Sequence, residues 1–313
     1  MKNFEADEIN RVPMKVAIGL MREAFQMLSE GSVKVPLRTV METEDKSGLS
    51  LFMPSYAPAW NLFGLKMVTV FPGNQPPNPV IQGKMILMDA VHGQPLATLD
   101  AASLTALRTG AASGLATELL SRPNSSSLAI FGTGAQARTQ VAGVVAVRKI
   151  TRILVKGTTP KKEEDFCRLI SEEYAIPCES LAAPENLREV DVVCTATTSA
   201  VPLFKLAHLK PGTHINAVGS YKPHLRELSE EVIRSCRLVV DQRAAVLHEA
   251  GELAIPIQEG TLTPDSIYAE LGEIVAGKAG RQSDQELTVF KSVGNAVQDL
   301  AVARYLSDNE CRA

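Results

Sequence analysis

Residues Leu128-Ala129-Ile130-Phe131 form a short apolar run. Gly132-Thr133-Gly134-Ala135-Gln136-Ala137 follows directly and opens an apolar stretch that reaches Val147. A buried strand, a glycine turn and a helix in immediate succession leave few architectures open. The first glycine permits a tight turn, and the second lets backbone amides approach a pyrophosphate at the positive end of the helix. Ala137 falls where a third small residue allows close helix–sheet packing. Taken alone, the same pattern also describes an ordinary strand–helix turn. Its setting narrows the choice. Apolar runs at Ile153-Leu154-Val155, Asp191-Val192-Val193-Cys194-Thr195, His214-Ile215-Asn216-Ala217-Val218 and Leu238-Val239-Val240 alternate with helical stretches. That alternation predicts an α/β protein with a Rossmann-type, doubly wound parallel sheet that binds a dinucleotide.

The first third reads differently. Ala17, Ile18, Met21, Ala24, Phe25 and Leu28 recur at helical spacing between Pro13, which suits a first turn, and Gly31, which stops the run. Short β-like runs follow, among them Leu65-Lys66-Met67-Val68-Thr69-Val70 and Lys84-Met85-Ile86-Leu87-Met88, with the turn-rich Phe71–Pro79 between them. A mixed or antiparallel sheet is expected here, then a helix over about Asp100–Leu120. A last helix is expected from about Val289 to Leu306. With 313 residues, two domains are the natural division at roughly 100–200 residues each.

Composition removes several classes. A formal charge of −3 and 5% aromatic residues do not make the basic surface of a nucleic-acid binder. Acids occupy the start of the chain where a signal peptide needs an apolar stretch, and no uncharged run reaches the roughly 18–20 residues of a membrane helix. Cys167, Cys178, Cys194, Cys236 and Cys311 lie far apart, with neither disulfide nor metal-ligand spacing. They are read as inert, and the expected compartment is a reducing cytoplasm. His92, His214, His224 and His248 are read as structural or surface groups.

Two further features bear on ligands. The second αβ unit ends Val155-Lys156-Gly157-Thr158-Thr159-Pro160-Lys161-Lys162, with no acid before Glu163. An acid there reads ribose hydroxyls, whereas basic residues accept a 2′-phosphate, so Lys156 and Thr158 favour NADP(H) over NAD(H). Arg38, Lys66 and Arg108 could line a carboxylate pocket, and Lys66 in an apolar strand is costly unless paired.

Val35-Pro36-Leu37-Arg38, Gly64-Leu65-Lys66, Phe71-Pro72-Gly73-Asn74, Leu107-Arg108-Thr109-Gly110-Ala111-Ala112, the glycine turn and His214-Ile215-Asn216-Ala217-Val218-Gly219 occur in that order. Together with Ala296-Val297-Gln298-Asp299-Leu300-Ala301 they resemble the ornithine cyclodeaminase/mu-crystallin family. The resemblance implies a homodimer with a discontinuous substrate and dimerisation domain, residues 1–120 plus 290–313, and a Rossmann domain over 121–289. It implies that Arg38, Lys66 and Arg108 hold a substrate carboxylate facing the nicotinamide. Thr109, Gly132, Thr133, Gly134, Ala135 and Gln136 would serve the pyrophosphate, and Thr195, Ala196, Val218 and Gly219 the nicotinamide and its ribose.

One position departs from the family's cyclodeaminases. Tyr221 stands where their amine-handling aspartate lies, and a phenol with a pKa near 10 cannot supply that charge at neutral pH. The chain is therefore expected to resemble the family's NAD(P)H-dependent reductases of cyclic ketimine carboxylates, with Lys66 as proton donor. The alternatives are an ornithine cyclodeaminase, an alanine-dehydrogenase-like enzyme, and a mu-crystallin-like binding protein.

Overall fold

The computed structural model describes residues 1–75 and 77–310; Pro76 and residues 311–313, Cys311 among them, lie outside the described residues. The chain divides into two compact units, Met1–Arg108 with Asn295–Ala313, and Thr109–Gly294. In chain order the helices are α1 (Ala6–Asn10), α2 (Met14–Ser29), α3 (Ala101–Leu120), α4 (Ala135–Val147), α5 (Pro160–Tyr174), α6 (Glu230–Arg234), α7 (Arg243–Glu249), α8 (Gly251–Gln258), α9 (Leu271–Val275) and α10 (Ala296–Glu310). None of them is long and apolar enough to cross a membrane.

The first unit carries a mixed sheet of β1 (Lys2–Phe4), β2 (Thr39–Glu42), β3 (Leu49–Ala57), β4 (Leu62–Val70), β5 (Ile81–Asp89) and β6 (Pro95–Asp100). Its order is β1-β6-β5-β4-β3-β2, antiparallel except where β1 runs parallel to β6. Helix α2 starts at Met14, one residue past Pro13, and ends before Gly31 in the left-handed region at φ +70°. It packs on α10, which lies across β3, β4 and β5. Strand β4 shows why only one sheet face is covered. Leu62, Gly64, Lys66, Val68 and Val70 are buried, whereas Phe63, Leu65 and Met67 are exposed.

In the second unit, β7 (Ser127–Phe131), β8 (Arg152–Lys156), β9 (Cys178–Ser180), β10 (Val192–Thr195), β11 (His214–Ala217), β12 (Arg237–Val240), β13 (Ile267–Glu270) and β14 (Thr288–Lys291) form one parallel sheet. The order is β13-β12-β14-β11-β10-β7-β8-β9. Alternate residues of β7 enter opposite cores: Ala129 and Phe131 join one, Leu128 and Ile130 the other. Both sheet faces are therefore covered, as parallel sheets require. The chain leaves β7 toward β8 and later returns to β10 on β7's other side, which makes β7/β10 the topological switch point.

The expected last helix needs correction. Residues Thr288–Lys291 are a strand, fully buried between β11 and β12, and the helix begins only at Ala296. Thr288, Val289 and Phe290 suit a strand buried on both faces. A short apolar run beside a helical pattern cannot be told from that helix by periodicity.

Candidate active site

In the first unit the site is built around a buried carboxylate. Strand alternation turns Lys66 into the packed face of β4, leaving it 1% exposed. Its Nζ lies 2.7 Å from Asp299 Oδ2 and donates to Thr105 Oγ1 at 3.1 Å. Arg108 is 5% exposed; Nε donates to Asp299 Oδ1 at 3.3 Å and Nη1 to Gln298 Oε1 at 2.7 Å. Asp299, itself fully buried, thus faces two cations. Burial pushes the Lys66 ammonium down to about 7; Asp299 opposes the shift, while the Arg108 and Arg38 charges add to it. Arg38 is half-buried ahead of β2, close enough for its charge to reach Lys66. The structure therefore joins Lys66 and Arg108 at Asp299, with Arg38 linked to them through its charge alone.

Asp299, Gln298, Thr105 and Asn295 were not anticipated as site residues. Asn295 immediately precedes α10, and its spacing of three and four residues from Gln298 and Asp299 is that of neighbours on one helix face. Both polar side-chain atoms of Asn295 and Nε2 of Gln298 are buried without a protein partner. Such groups are costly unless a ligand or water meets them. Excess positive charge beside unmet polar atoms suits a small, polar anion.

In the second unit, Gly132 follows β7 at φ +110°, and a Cβ there would lie 2.5 Å from the Ala196 carbonyl oxygen. Only glycine meets both conditions. Gly134 precedes α4 without a side-chain cap, and a Cβ there would project into open space. The first amides of α4, at Ala135 and Gln136, are thus left for an anion. Gln136 Oε1 and Thr109 Oγ1 are buried without a protein partner. Thr133 and Gly134 also line a cavity of about 400 Å³ with Lys162, Asp165, Phe166 and Leu169. An uncapped helix start, a glycine cradle and an adjacent cavity fit a dinucleotide.

At the tip of β8, Thr158 is exposed and Lys156 lies 3.2 Å from Glu163 Oε1, which also accepts from the Gly157 amide at 3.0 Å. Glu163 is 5% exposed, so this acid is turned inward. Thr195 is fully buried at the end of β10, and its hydroxyl donates to Glu227. Ala196, Val218 and Gly219 are half-buried in the loops just after β10 and β11. Tyr221 packs on the apolar core. His214 is fully buried, with Nδ1 3.0 Å from Thr288 Oγ1 and Nε2 3.1 Å from Asn216 Oδ1. Burial, with the charges of Arg281 and Arg148, pushes it down to about 3, so it stays neutral as a structural group.

The family model for ornithine cyclodeaminase/mu-crystallin proteins matches residues 5–312. A Δ1-pyrroline-2-carboxylate reductase of Bacillus cereus is 41% identical over 299 residues, 94% of this chain and 92% of the relative. A solved structure of the Thermococcus litoralis Δ1-pyrroline-2-carboxylate reductase in complex with NADH and L-proline aligns with a TM-score of 0.95 at 38% identity. That alignment covers 100% of this chain and 98% of the other. An archaeal alanine dehydrogenase dimer with bound NAD aligns with a TM-score of 0.93 at 33% identity, covering 100% and 96%. The chain belongs to the ornithine cyclodeaminase/mu-crystallin family.

Proposed function

We propose that the protein is an NAD(P)H-dependent reductase of cyclic ketimine carboxylates, converting Δ1-pyrroline-2-carboxylate to L-proline and Δ1-piperideine-2-carboxylate to L-pipecolate. The observation that carries this reading is the buried Lys66–Asp299–Arg108 cluster with its excess positive charge. Arg38 and Arg108 hold the substrate carboxylate, with Arg108 offering a planar fork of donors. Lys66, protonated below about 7, gives its proton to the imine nitrogen. The bound reduced nicotinamide supplies hydride to carbon 2, so C=N becomes CH–NH with one hydride and one proton. Thr109, Thr133 and the amides of Ala135 and Gln136 hold the pyrophosphate. Ala196, Val218 and Gly219 line the nicotinamide and its ribose, and the fully buried Thr195 supports them from beneath through Glu227.

A cyclodeaminase would need a carboxylate for the substrate's amino group. Between Gly219 and Leu228 the only acid is Glu227, fully buried and committed to backbone and hydroxyl donors. At β8, Glu163 is likewise committed inward, so no carboxylate is presented to the ribose hydroxyls. The inward turn of Glu163 and the exposed Lys156 and Thr158 support NADP(H) as the preferred cofactor, with Lys156 leaving its 3.2 Å pairing to Glu163 to meet a 2′-phosphate and NAD(H) as the second cofactor. The test follows NADPH and NADH oxidation separately on adding each imine, beside L-ornithine with NAD and pyruvate with ammonia. Imine-dependent oxidation, faster with NADPH, is expected. Ammonia release from ornithine without imine turnover would overturn the reading.

The uncovered sheet face, where Phe63 is 45%, Leu65 39% and Met67 43% exposed, supports our reading of a homodimer. A second copy covers it. Sedimentation is expected to give a dimer that Leu65→Glu converts to monomer; a wild-type monomer would contradict this.

A further inference from the structure

Beneath the loops that follow β10 and β11 lies a group of buried charges outside the chemistry described above. Glu227, Glu252 and Lys291 are each no more than 1% exposed. Glu227 Oε2 accepts from Thr195 Oγ1 at 2.7 Å and from the Gly219 amide at 2.9 Å. Its Oε1 accepts from the Thr197 amide at 2.7 Å and from Thr197 Oγ1 at 2.8 Å. One carboxylate thus meets four donors from two separate loops, which with Lys291 favour its charged form against the burial and the Glu252 charge that push its pKa up. Side chains are excluded between them, because a Cβ on Gly219 would collide with Thr197 and with Glu227 itself.

A second layer holds Glu227 in place. Its own amide donates to Glu252 Oε1 at 2.8 Å, and Ser220 Oγ donates to the same carboxylate at 2.6 Å. Lys291, at the end of β14, donates to Ser220 O at 2.7 Å and Ser220 Oγ at 2.8 Å, and lies 3.3 Å from Glu252 Oε2. The ends of β10, β11 and β14 are thereby tied together at the carboxyl edge of the sheet, where open α/β folds bind ligands.

We infer that Glu227 is a positioning residue for the nicotinamide half of the cofactor, acting through Thr195, Thr197 and Gly219. This rests on the reading of those loops as nicotinamide contacts. The pyrophosphate turn at Gly132–Gln136 and the β8 tip make no hydrogen bond to Glu227 among the described contacts, so the effect divides the cofactor in two.

The test measures binding to the full chain of NADPH and NADH, and of their adenine halves, 2′-phospho-ADP-ribose and ADP-ribose, for wild type and Glu227→Gln. The amide would turn a donor toward a cluster of donors. Whole-cofactor affinity is expected to fall about 10- to 100-fold, the size of a lost charge-assisted hydrogen-bond set, with the adenine halves held within about twofold. Equal loss in halves and whole cofactors marks general damage to the unit and overturns the inference, as does no loss in either. Should Glu227→Gln fail to fold, Thr197→Val removes one hydroxyl donor and is expected to show the same split at about three- to fivefold. Wild-type protein that binds neither the cofactors nor their halves would overturn the underlying nucleotide reading, and this inference with it.

Discussion

Lys66→Met is expected to lower kcat for the imine by about 10²- to 10³-fold, within the range a positioned general acid contributes. The substitution keeps an unbranched chain in the packed face of β4 and removes the charge and the proton, together with the contacts to Asp299 and Thr105. Because the Lys66 ammonium is pushed down to about 7, wild-type kcat/KM should decline as pH rises through that value, where the acid form is lost. In Lys66→Met that decline disappears and the residual rate shows no limb near 7. Steady-state kinetics over the pH range checks both points. Unchanged turnover with a raised KM would make Lys66 an electrostatic anchor and take it out of the chemistry.

The second large effect belongs to Asp299, which touches Lys66 and Arg108 at once. Asp299→Asn leaves two buried cations without their shared counter-charge, and breaking a buried pair from one side costs about 3–5 kcal/mol. Urea unfolding reads that loss. The same substitution removes the influence that holds the Lys66 ammonium up, so it should titrate at still lower pH. The variant's pH–rate limb is therefore expected to move to the acid side of the wild-type limb. A limb left in place would show that Asp299 does not set the Lys66 proton affinity. A stable variant with a shifted limb would separate the electrostatic role from the structural one.

Much of this arrangement is written locally in the chain. The Phe131-Gly132 junction, the helical spacing of Ala17 to Leu28 and the alternation through β4 are short-range signals, and they mark the elements that carry Gly132, Gly134 and Lys66. The partners of those residues are not local. Lys66 inside an apolar strand announces that a counter-charge must exist, but Asp299 lies at the far end of the chain and reaches β4 only through the packing of α10. Helical spacing of Asn295, Gln298 and Asp299 was readable as one face; what that face meets was not. Glu163 illustrates a different limit. Its place in the sequence suggests an acid too late to serve the β8 tip, yet the first turn of α5 folds it back onto the Gly157 amide. Strand β14 escaped because its four residues adjoin a true helical pattern and are recognised only by the strands on either side. Glu227 escaped because a carboxylate among loop residues normally reads as surface charge, and its burial depends on donors from two distant strand ends.

The central claim is that hydride reaches carbon 2 of a cyclic imine held through its carboxylate. Its most direct test is a turnover of Δ1-pyrroline-2-carboxylate with NADPH deuterated at carbon 4 on each face in turn, followed by mass and NMR analysis of the product. L-Proline with deuterium at carbon 2 from one of the two labelled faces is the predicted result. Product without the label at carbon 2 from either face, or no proline while ornithine releases ammonia, would contradict the account.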